Sequence, residues 1–303
     1  MAEKHGSLSI NSENIFPIIK KWLYSDHDIF ARELISNGCD AITKLKKLDV
    51  MGEYTLPDDY KAEVQVIVNP EEKTLKFIDT GLGMTADEVE EYITQIAFSG
   101  ATEFLSKYKD KTTDDQIIGH FGLGFYSAFM VSDKVEIDTL SFKEGAEAVR
   151  WISEGTTEYE ITPSDTRTTR GTTITLFLAE DSEEFLDEYH VRSIINKYCS
   201  FLPVEIYLED EDKEVKENEE KVEEKPLNDT NPLWLKSPKD CTDEEYKEFY
   251  KKVFNVFDEP LFWIHLNVDY PFNLKGILYF PKLNNEFELV EGKVKLYNNQ
   301  VFV

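Results

Sequence analysis

The stretch on which the fold assignment depends spans residues 33–41 and reads ELISNGCDA. It predicts a helix in which Glu33, Asn37 and Asp40, at positions i, i+4 and i+7, stack along one face. The amide oxygen of Asn37 is a hard ligand suited to Mg²⁺, and the carboxylate of Glu33 can orient or deprotonate a water molecule. A solvated polar stripe accounts for the same spacing, and for this helix alone it is the commoner explanation.

A glycine-containing turn follows a predicted strand at residues 79–84, which read DTGLGM. Asp79 ends the strand, and the glycines behind it give close access to the backbone. The carboxylate can accept a hydrogen bond from an exocyclic amine such as that of adenine. The alternative is an ordinary Asp/Gly turn.

A second glycine cluster, GHFGLGF, covers residues 119–125 and precedes an apolar segment. Glycines that open a helix expose backbone N–H groups able to bind phosphate. The spacing matches neither a Walker loop nor a Rossmann fingerprint, because no Gly-Lys-Ser/Thr follows and no short βαβ unit surrounds it. We interpret His120 as structural, whereas Phe125 suits either a place near a base or the core.

The last motif, RGTTI at residues 170–174, opens a predicted strand. The hydroxyl of Thr172 would complete the polar edge of a base pocket. Because Gly-Thr commonly begins a strand, this motif is weak by itself.

The composition favours a cytoplasmic globular protein and excludes several classes of partner. A formal charge of −27 over 303 residues repels a phosphate backbone, so nucleic acid is not an expected partner. Three scattered cysteines form neither a disulfide framework nor a zinc motif. The sequence shows no signal peptide and no apolar run of membrane-spanning length, so we expect no membrane partner.

Helical and strand patterns up to about residue 209 predict an α+β fold, with helices on one face of a largely antiparallel sheet. One helix is expected around residues 15–22 and a second from about Asp26, with Ser25 as its N-cap. The predicted strands are Glu63–Asn69, Thr74–Asp79, 135–140, 148–152 and 172–178.

Composition divides the chain into an N-terminal domain at residues 1–208, an acidic linker at 209–228 and the beginning of a further domain at 229–303. The linker is rich in Glu, Asp and Lys, so it cannot bury enough apolar surface to fold alone. After it, a helix is expected at 242–254 and strands between 261 and 280. The sequence stops within a predicted strand, and we therefore expect it to be a fragment of a longer protein.

Together, the order and spacing of the four motifs resemble the N, G1, G2 and Gly-Thr boxes of the GHKL ATPase superfamily. Members of that superfamily bind ATP in a two-layer α/β sandwich of the Bergerat type. Residues 30–37 (FARELISN), 78–85 (IDTGLGMT) and 122–129 (GLGFYSAF) are similar to the heat-shock protein 90 chaperones of bacteria. The resemblance covers the whole chain, and residues 209–303 resemble the family's linker and the start of its middle domain.

The resemblance implies a role for each matching residue. Glu33 would be the general base for ATP hydrolysis, Asn37 the Mg²⁺ ligand, and Asp79 the acceptor for the adenine amine. Asp40 would line the pocket through a water molecule. The remaining nucleotide contacts that it implies are Gly83, Met84 and Thr172 around the base, Gly119, Gly122, Leu123, Gly124 and Phe125 on the phosphate side, and Ser99 and Gly100 in a lid formed by residues 94–124.

The resemblance further implies an ATP-dependent chaperone that binds Mg-ATP or ADP, acts on unfolded or partly folded client proteins and forms a homodimer at full length. Lid closure and hydrolysis would be coupled to client folding. In the family, a middle-domain arginine approaches the γ-phosphate, and it would lie beyond residue 303, so slow hydrolysis is expected. Two alternatives stay open: another GHKL enzyme such as a sensor histidine kinase, and a nucleotide-gated binding module that does not hydrolyse ATP.

The lid segment departs from the eukaryotic members of the family. Residues 92–95 read YITQ where those members often have NLGT, Phe98 replaces a lysine, and His120 stands where glutamine is usual. Nucleotide contacts of the replaced asparagine and lysine are therefore not carried over to this chain.

Overall fold

The computed structural model describes residues 25–95, 118–119, 122–211, 225–268, 274–282, 295–298 and 300–302. The described residues form two compact units, one made by those up to Asn228 together with 297–302 and the other lying within Asp229–Leu296. The helix predicted around residues 15–22 lies outside the described ranges. None of the helices within these ranges has the length and apolar character required to cross a bilayer.

A seven-stranded sheet forms the centre of the first unit. Its strands are β1 (Glu63–Asn69), β2 (Thr74–Asp79), β3 (Ser132–Leu140), β4 (Val149–Ser153), β5 (Glu160–Pro163), β6 (Gly171–Leu178) and β7 (Glu205–Asp210). They lie in the order β5-β4-β3-β6-β2-β1-β7. Neighbouring strands are antiparallel except for β1 and β7, which are parallel.

Helices of two kinds accompany the sheet. The α-helices are α1 (Ile29–Val50), α2 (Ala86–Tyr92) and α3 (Glu188–Tyr198), and the 3-10 helices are Gly124–Met130 and Glu180–Leu186. Thr85 and Glu88 form a capping box at the start of α2.

One face of the sheet packs against the helices, as the alternating burial along its strands shows. In β1 the side chains of Val64 and Val66 are buried, whereas Gln65 between them is partly exposed. Phe30 of α1 packs edge-on against Phe77 of β2 and Phe185, with ring centroids 6.1 Å and 4.9 Å apart. Burial of each such side chain contributes about 1.5–3 kcal/mol. The predicted α+β fold with helices on one face of the sheet is confirmed.

Helix α1 begins later than predicted, at Ile29. Its N-cap is Asp28, and the N–H of Asp28 donates to Oδ1 of Asp26 at 3.1 Å. The prediction of Ser25 as N-cap and of a start near Asp26 is wrong, because residues 26–28 form a turn and the α-helical pattern begins only at Ile29. The turn is closed by the bonds from Ile29 N–H to the Asp26 carbonyl at 3.4 Å and from Phe30 N–H to the His27 carbonyl at 3.2 Å.

The second unit consists of an α-helix against a two-stranded antiparallel hairpin. The elements are the 3-10 helices Leu233–Leu235 and Pro238–Asp240, α4 (Asp243–Phe254), β8 (Pro260–Val268) and β9 (Leu274–Pro281). Thr242 and Glu245 form a capping box at the start of α4. Tyr246 of α4 stacks on Trp263 of β8 with ring centroids 5.0 Å apart, so aromatic contacts join the helix to the hairpin.

A short pair of strands, β10 (Tyr297–Asn298) and β11 (Val301–Phe302), packs with the first unit. Gln300 Nε2 donates to the carbonyl of Phe201 at 2.6 Å, and Tyr297 lies edge-on to the Phe201 ring. Residues 297–302 therefore contact the first unit, although the sequence-based division grouped them with residues 229–296. The division itself, at residues 209 and 229, stays a prediction.

Candidate functional site

Helix α1 lies close to the end of β2 because position 38 is glycine. A β-carbon on Gly38 would lie 3.1 Å from Cγ2 of Val64 and 3.2 Å from Cβ of Asp79. Such distances are tighter than most β-carbon contacts, so a side chain here would push the helix away from the sheet. The glycine thus brings Asn37 and Asp40, which stand on either side of it in sequence, to the end of β2.

Asp79 is buried at the end of β2, and its carboxylate lies in the turn that follows. Oδ1 accepts the N–H of Gly81 at 2.8 Å, and a β-carbon on Gly81 would lie 2.5 Å from Cβ of Ala41 in α1. Burial raises the pKa of Asp79 to about 6, although the hydrogen bond from Gly81 and the positive charge of Arg167 act in the opposite direction. At neutral pH the carboxylate is ionised and only accepts hydrogen bonds.

Thr172 lies opposite Asp79 in the register of β2 and β6. Its buried hydroxyl is 3.1 Å from Oγ1 of Thr139 in β3, and Thr139 also accepts the N–H of Met84 at 2.9 Å. The hydroxyl of Thr139 therefore connects β3, β6 and the turn after β2. These residues form a polar wall with the Asp79 carboxylate at one end.

Gly83 fixes the path of the turn towards this wall. Its φ is +63°, and a β-carbon there would overlap the carbonyl oxygen of Leu140 at the end of β3. Glycine satisfies both requirements. The turn consequently packs on β3 and brings Met84 to Thr139.

Asp40 joins α1 to the glycine cluster. Its two carboxylate oxygens accept the N–H groups of Ile118 and Gly119, each at 2.8 Å. A β-carbon on Gly119 would lie 3.3 Å from Oδ2 of Asp40 and 3.5 Å from Oδ1 of Asn37. Asn37, Asp40 and Gly119 are thus adjacent, and Asp40 contacts the backbone directly, whereas a contact to the ligand through water was expected.

Glu33 lies between an arginine and the second part of the glycine cluster. Oε1 accepts from Nη2 and Nε of Arg32 at 2.5 Å and 3.1 Å. Oε2 is directed at Gly124, where a β-carbon would lie 2.5 Å from it. A side chain at position 124 would displace the Glu33 carboxylate from this orientation, so glycine lets this position lie directly beside the predicted general base.

Phe125 belongs to the core, which settles the two alternatives left by the sequence for its side chain. It is buried, with its ring edge-on to Trp151 and Phe129 at centroid distances of 5.7 Å and 6.2 Å. Gly122 has a φ of +63° and precedes the 3-10 helix Gly124–Met130. Any contact of Phe125 to a phosphate would accordingly come from its backbone.

The comparisons with known proteins point to one family. Residues 30–170 match the family described as histidine kinase-, DNA gyrase B-, and HSP90-like ATPase, and residues 209–303 match the Hsp90 protein family. The chain is 50% identical over 300 residues to chaperone protein HtpG of Bacteroides fragilis, which is 98% of this chain and 43% of that protein. The chain belongs to the Hsp90 family.

Chaperone protein HtpG of other bacteria also matches nearly the whole of this chain. Chaperone protein HtpG of Porphyromonas gingivalis is 50% identical over 304 residues, covering 99% of this chain and 43% of that protein. Chaperone protein HtpG of Desulfitobacterium hafniense is 37% identical over 294 residues, covering 95% of this chain and 45% of that protein. The chain therefore spans less than half the length of these relatives. The predicted resemblance to the heat-shock protein 90 family is confirmed, and the sheet and helices agree with the GHKL type of fold.

The structure brings most of the predicted site residues to one region around α1, the end of β2 and the start of β6. Glu33, Asn37, Asp40 and Asp79 are joined there by glycines that allow close packing. Most of the predicted lid at residues 94–124 lies outside the described residues. The same holds for the predicted nucleotide contacts Ser99 and Gly100 and for His120, which was interpreted as structural. Their roles stay predictions.

Three polar residues with no role predicted from the sequence contact this region, and one of them, Arg170, is the first residue of the RGTTI motif. Thr139 supports the wall described above, and Arg167 and Arg170 bind the turn after β2. Thr139 is a single buried threonine in an alternating strand, a pattern that gives no motif. The two arginines lie in and beside a polar loop, which by sequence resembles a solvated turn.

Proposed function

We propose that this chain binds Mg-ATP or ADP in a pocket formed by α1, the turn after β2, the start of β6, Gly119 and residues 122–125. The observation that carries the proposal is the close approach of α1 to buried Asp79 at Gly38, which gathers an amide, carboxylates and glycine backbone in one place. The longer protein is then an ATP-dependent chaperone, in line with the name chaperone protein HtpG of its relatives.

The base would bind at the wall formed by Asp79 and Thr172. An ionised carboxylate accepts hydrogen bonds and donates none, so it favours the amine of adenine over the carbonyl that guanine has at the same position. Gly83 and Met84 would border the base, because the turn that carries them packs on β3.

The phosphates would lie against the backbone of Gly122, Leu123, Gly124 and Phe125 and beside Gly119, whose own N–H is donated to Asp40. Asp40 supports this side indirectly, since it holds the N–H groups of Ile118 and Gly119. Gly119 lies beside Asn37 and Gly124 beside Glu33, so phosphate bound here would meet both side chains.

The residues present fit a magnesium ion that arrives with the nucleotide. Among the described residues no group of three or more His, Cys, Asp or Glu side chains could hold a metal by itself. Mg²⁺ commonly keeps water ligands and is bound through one or two protein oxygens plus substrate phosphates, and the amide oxygen of Asn37 is such a ligand. Bound there, the ion would neutralise phosphate charge.

Hydrolysis would use Glu33 as general base towards a water molecule. Arg32 holds Oε1, while Oε2 is directed at Gly124 on the phosphate side. The ion pair thus fixes the orientation of the carboxylate, which is a requirement for deprotonating a water molecule in line with the phosphate.

The same ion pair supports a second candidate function, nucleotide-gated binding without hydrolysis. Oε1 of Glu33 lies 2.5 Å from Nη2 of Arg32 and is engaged in this ion pair, so it is not open to a water molecule. In that case the pocket would bind nucleotide and change conformation, and Glu33 would serve packing at Gly124.

For the longer protein we propose a cytoplasmic homodimer whose partners are unfolded or partly folded client proteins. Lid closure and hydrolysis would be coupled to client folding. The charge of −27 supports a chain that avoids nucleic acid and anionic membranes.

The deciding test is calorimetric titration of Mg-ADP into the chain and into Asp79→Asn. The wild type should bind, and the variant should bind about 10- to 100-fold more weakly, because a hydrogen bond to a charged acceptor contributes about 1.5–3 kcal/mol. Asp58→Asn, which changes an exposed aspartate in the loop before β1, is the matched control and should bind like the wild type. No heat with the wild type would remove the proposed site.

A further inference from the structure

Two arginines just before β6 bind the backbone of the turn that follows β2. Arg170 donates from Nε to the carbonyl of Gly81 at 3.0 Å and from Nη2 to that of Thr80 at 3.4 Å. Arg167 donates from Nη2 to the carbonyl of Asp79 at 3.1 Å. Each of these three successive carbonyl groups therefore accepts a hydrogen bond from a guanidinium group.

Arg170 is itself held on both sides. Its Nη1 donates to the hydroxyl of Tyr54 at 2.7 Å, and its guanidinium carbon lies 5.4 Å and 5.1 Å from the ring centroids of Tyr54 and Tyr60. The hydroxyl of Tyr60 in turn donates to the carbonyl of Thr80 at 3.2 Å. The planar set of donors that reaches these partners together suits arginine and not lysine.

Arg167 is fixed in a similar way from the side of β6. It donates from Nη1 to the hydroxyl of Thr173 and from Nε to the carbonyl of Thr169 at 3.0 Å. Gly171 allows the approach, because its φ is +120° and a β-carbon there would overlap the Asp79 carbonyl oxygen and lie 2.5 Å from Nη2 of Arg167. The loop and the turn fit together only without a side chain at this position.

We propose that Arg167 and Arg170 form a carbonyl clamp that positions the Asp79 carboxylate for the exocyclic amine of an adenine base. Both are positioning residues, since they act through Asp79 and not on the ligand. The inference rests on the proposed nucleotide site and adds to it the two residues that set its selectivity for an amino-substituted purine.

The physical reason is that Asp79 has a short side chain whose carboxylate is bonded to the turn. Oδ1 accepts the N–H of Gly81, so a displacement of Gly81 moves the carboxylate as well. The hydrogen bond from Gly81 N–H to the Asp79 carboxylate closes a small ring. The clamp fixes the carbonyl groups of Asp79 and Gly81, which are the two residues at the ends of that ring. A hydrogen bond to the ligand amine needs an acceptor within a few tenths of an ångström of its optimum, which a loose turn would not supply.

The positive charge of the two arginines also favours the carboxylate form of Asp79, which is the form that accepts hydrogen bonds. Burial raises the pKa of Asp79, and Arg167 and Arg170 both oppose that rise. They therefore help to keep Asp79 an acceptor at neutral pH, in addition to holding its backbone.

The test compares two ligands on the 303-residue chain. ADP carries the 6-amino group, and purine riboside 5′-diphosphate lacks only that group. In Arg170→Gln the dissociation constant of ADP should rise about tenfold, equal to about 1.4 kcal/mol, while that of the analogue changes less than about twofold. The control is Arg192→Gln, which removes an arginine that pairs with Glu188 within α3 and should change neither constant.

Two further variants separate geometry from charge. Arg170→Lys keeps the charge but cannot reach both carbonyl groups and Tyr54 in a plane, so it should lose part of the selectivity for ADP. Arg167→Gln should act like Arg170→Gln, and these two variants carry the test if Arg170→Gln does not fold by circular dichroism.

The possible results distinguish failure of the carbonyl clamp from failure of the nucleotide site. Equal weakening of both ligands in Arg170→Gln, no weakening, or wild-type selectivity in Arg170→Lys would overturn the clamp alone, because the wild type would still bind ADP. Absence of ADP binding by the wild type would remove the nucleotide site, and the clamp with it.

Discussion

Replacement of Asp79 by asparagine should make the ligand-free chain more stable at neutral pH. Burial raises the pKa of this carboxyl from 3.8 to about 6, so the fold pays for holding the charge. At about 1.36 kcal/mol per pKa unit, the difference corresponds to about 3 kcal/mol of unfolding free energy. Asparagine has nearly the same shape and still accepts the N–H of Gly81, so Asp79→Asn should recover up to about 3 kcal/mol.

The stability gained by Asp79→Asn should depend on pH within a defined range. Because the pKa of Asp79 is higher in the folded chain than in the unfolded chain, the folded state binds more protons between pH 3.8 and about pH 6. The wild type therefore loses stability as pH rises through this window, whereas the asparagine variant has no such carboxyl. The two proteins should be equally stable below the window and differ by a constant amount above it.

Urea unfolding followed by circular dichroism at pH 4, 5, 6 and 7, without nucleotide, measures this difference. Asp58→Asn should follow the wild type at every pH. A variant that is less stable than the wild type at pH 7, or a difference that does not shrink towards pH 4, would refute the assignment of Asp79 as a buried charge retained for ligand binding.

Two other substitutions test the remaining parts of the site. In Glu33→Ala, ADP and ATP binding should persist while ATP hydrolysis by the longer protein is lost by about 100-fold or more, as expected for a general base; unchanged hydrolysis, measured as phosphate release, would favour the binding module. In Thr139→Val the partly buried N–H of Met84 loses its acceptor, so the unfolding free energy should fall by about 1 kcal/mol and ADP binding should weaken. Thr139→Ser keeps the hydroxyl and should behave like the wild type in denaturant titrations, which a purely steric role of the methyl group would not allow.

The sequence predicts the strands around the site closely, because their side chains alternate between core and surface. Both β1 and β2 have the predicted bounds, and β6 begins one residue before the predicted start at 172. The type of α1 is predicted correctly, but its first residue is not, because residues 26–28 form a turn with i→i−3 backbone bonds before the α-helical pattern begins. Alternation is a property of the whole segment, whereas a helix terminus depends on the conformation of a few residues.

The positions of Glu33, Asn37 and Asp79 in one region follow from motifs whose residue types match the chemistry. The partners of Asp40 do not follow from them, because its carboxylate binds a backbone N–H that is 79 residues away in sequence. The same limit applies to Arg170, which contacts Tyr54 across 116 residues. Contacts of this kind depend on which loops the sheet order brings together, and that order is not encoded in local patterns.

The parallel pairing of β1 with β7 has a consequence for the synthesis of the chain on the ribosome. Strands β1 and β2 leave the ribosome early, but β6 covers one edge of this pair and β7 the other. A nascent chain that ends before β6 therefore carries two open strand edges, which can pair with another chain. Native contacts of such long sequence separation also slow folding. The first hairpin must wait for the last strands of the sheet, and this period is when the growing polypeptide is most exposed to aggregation.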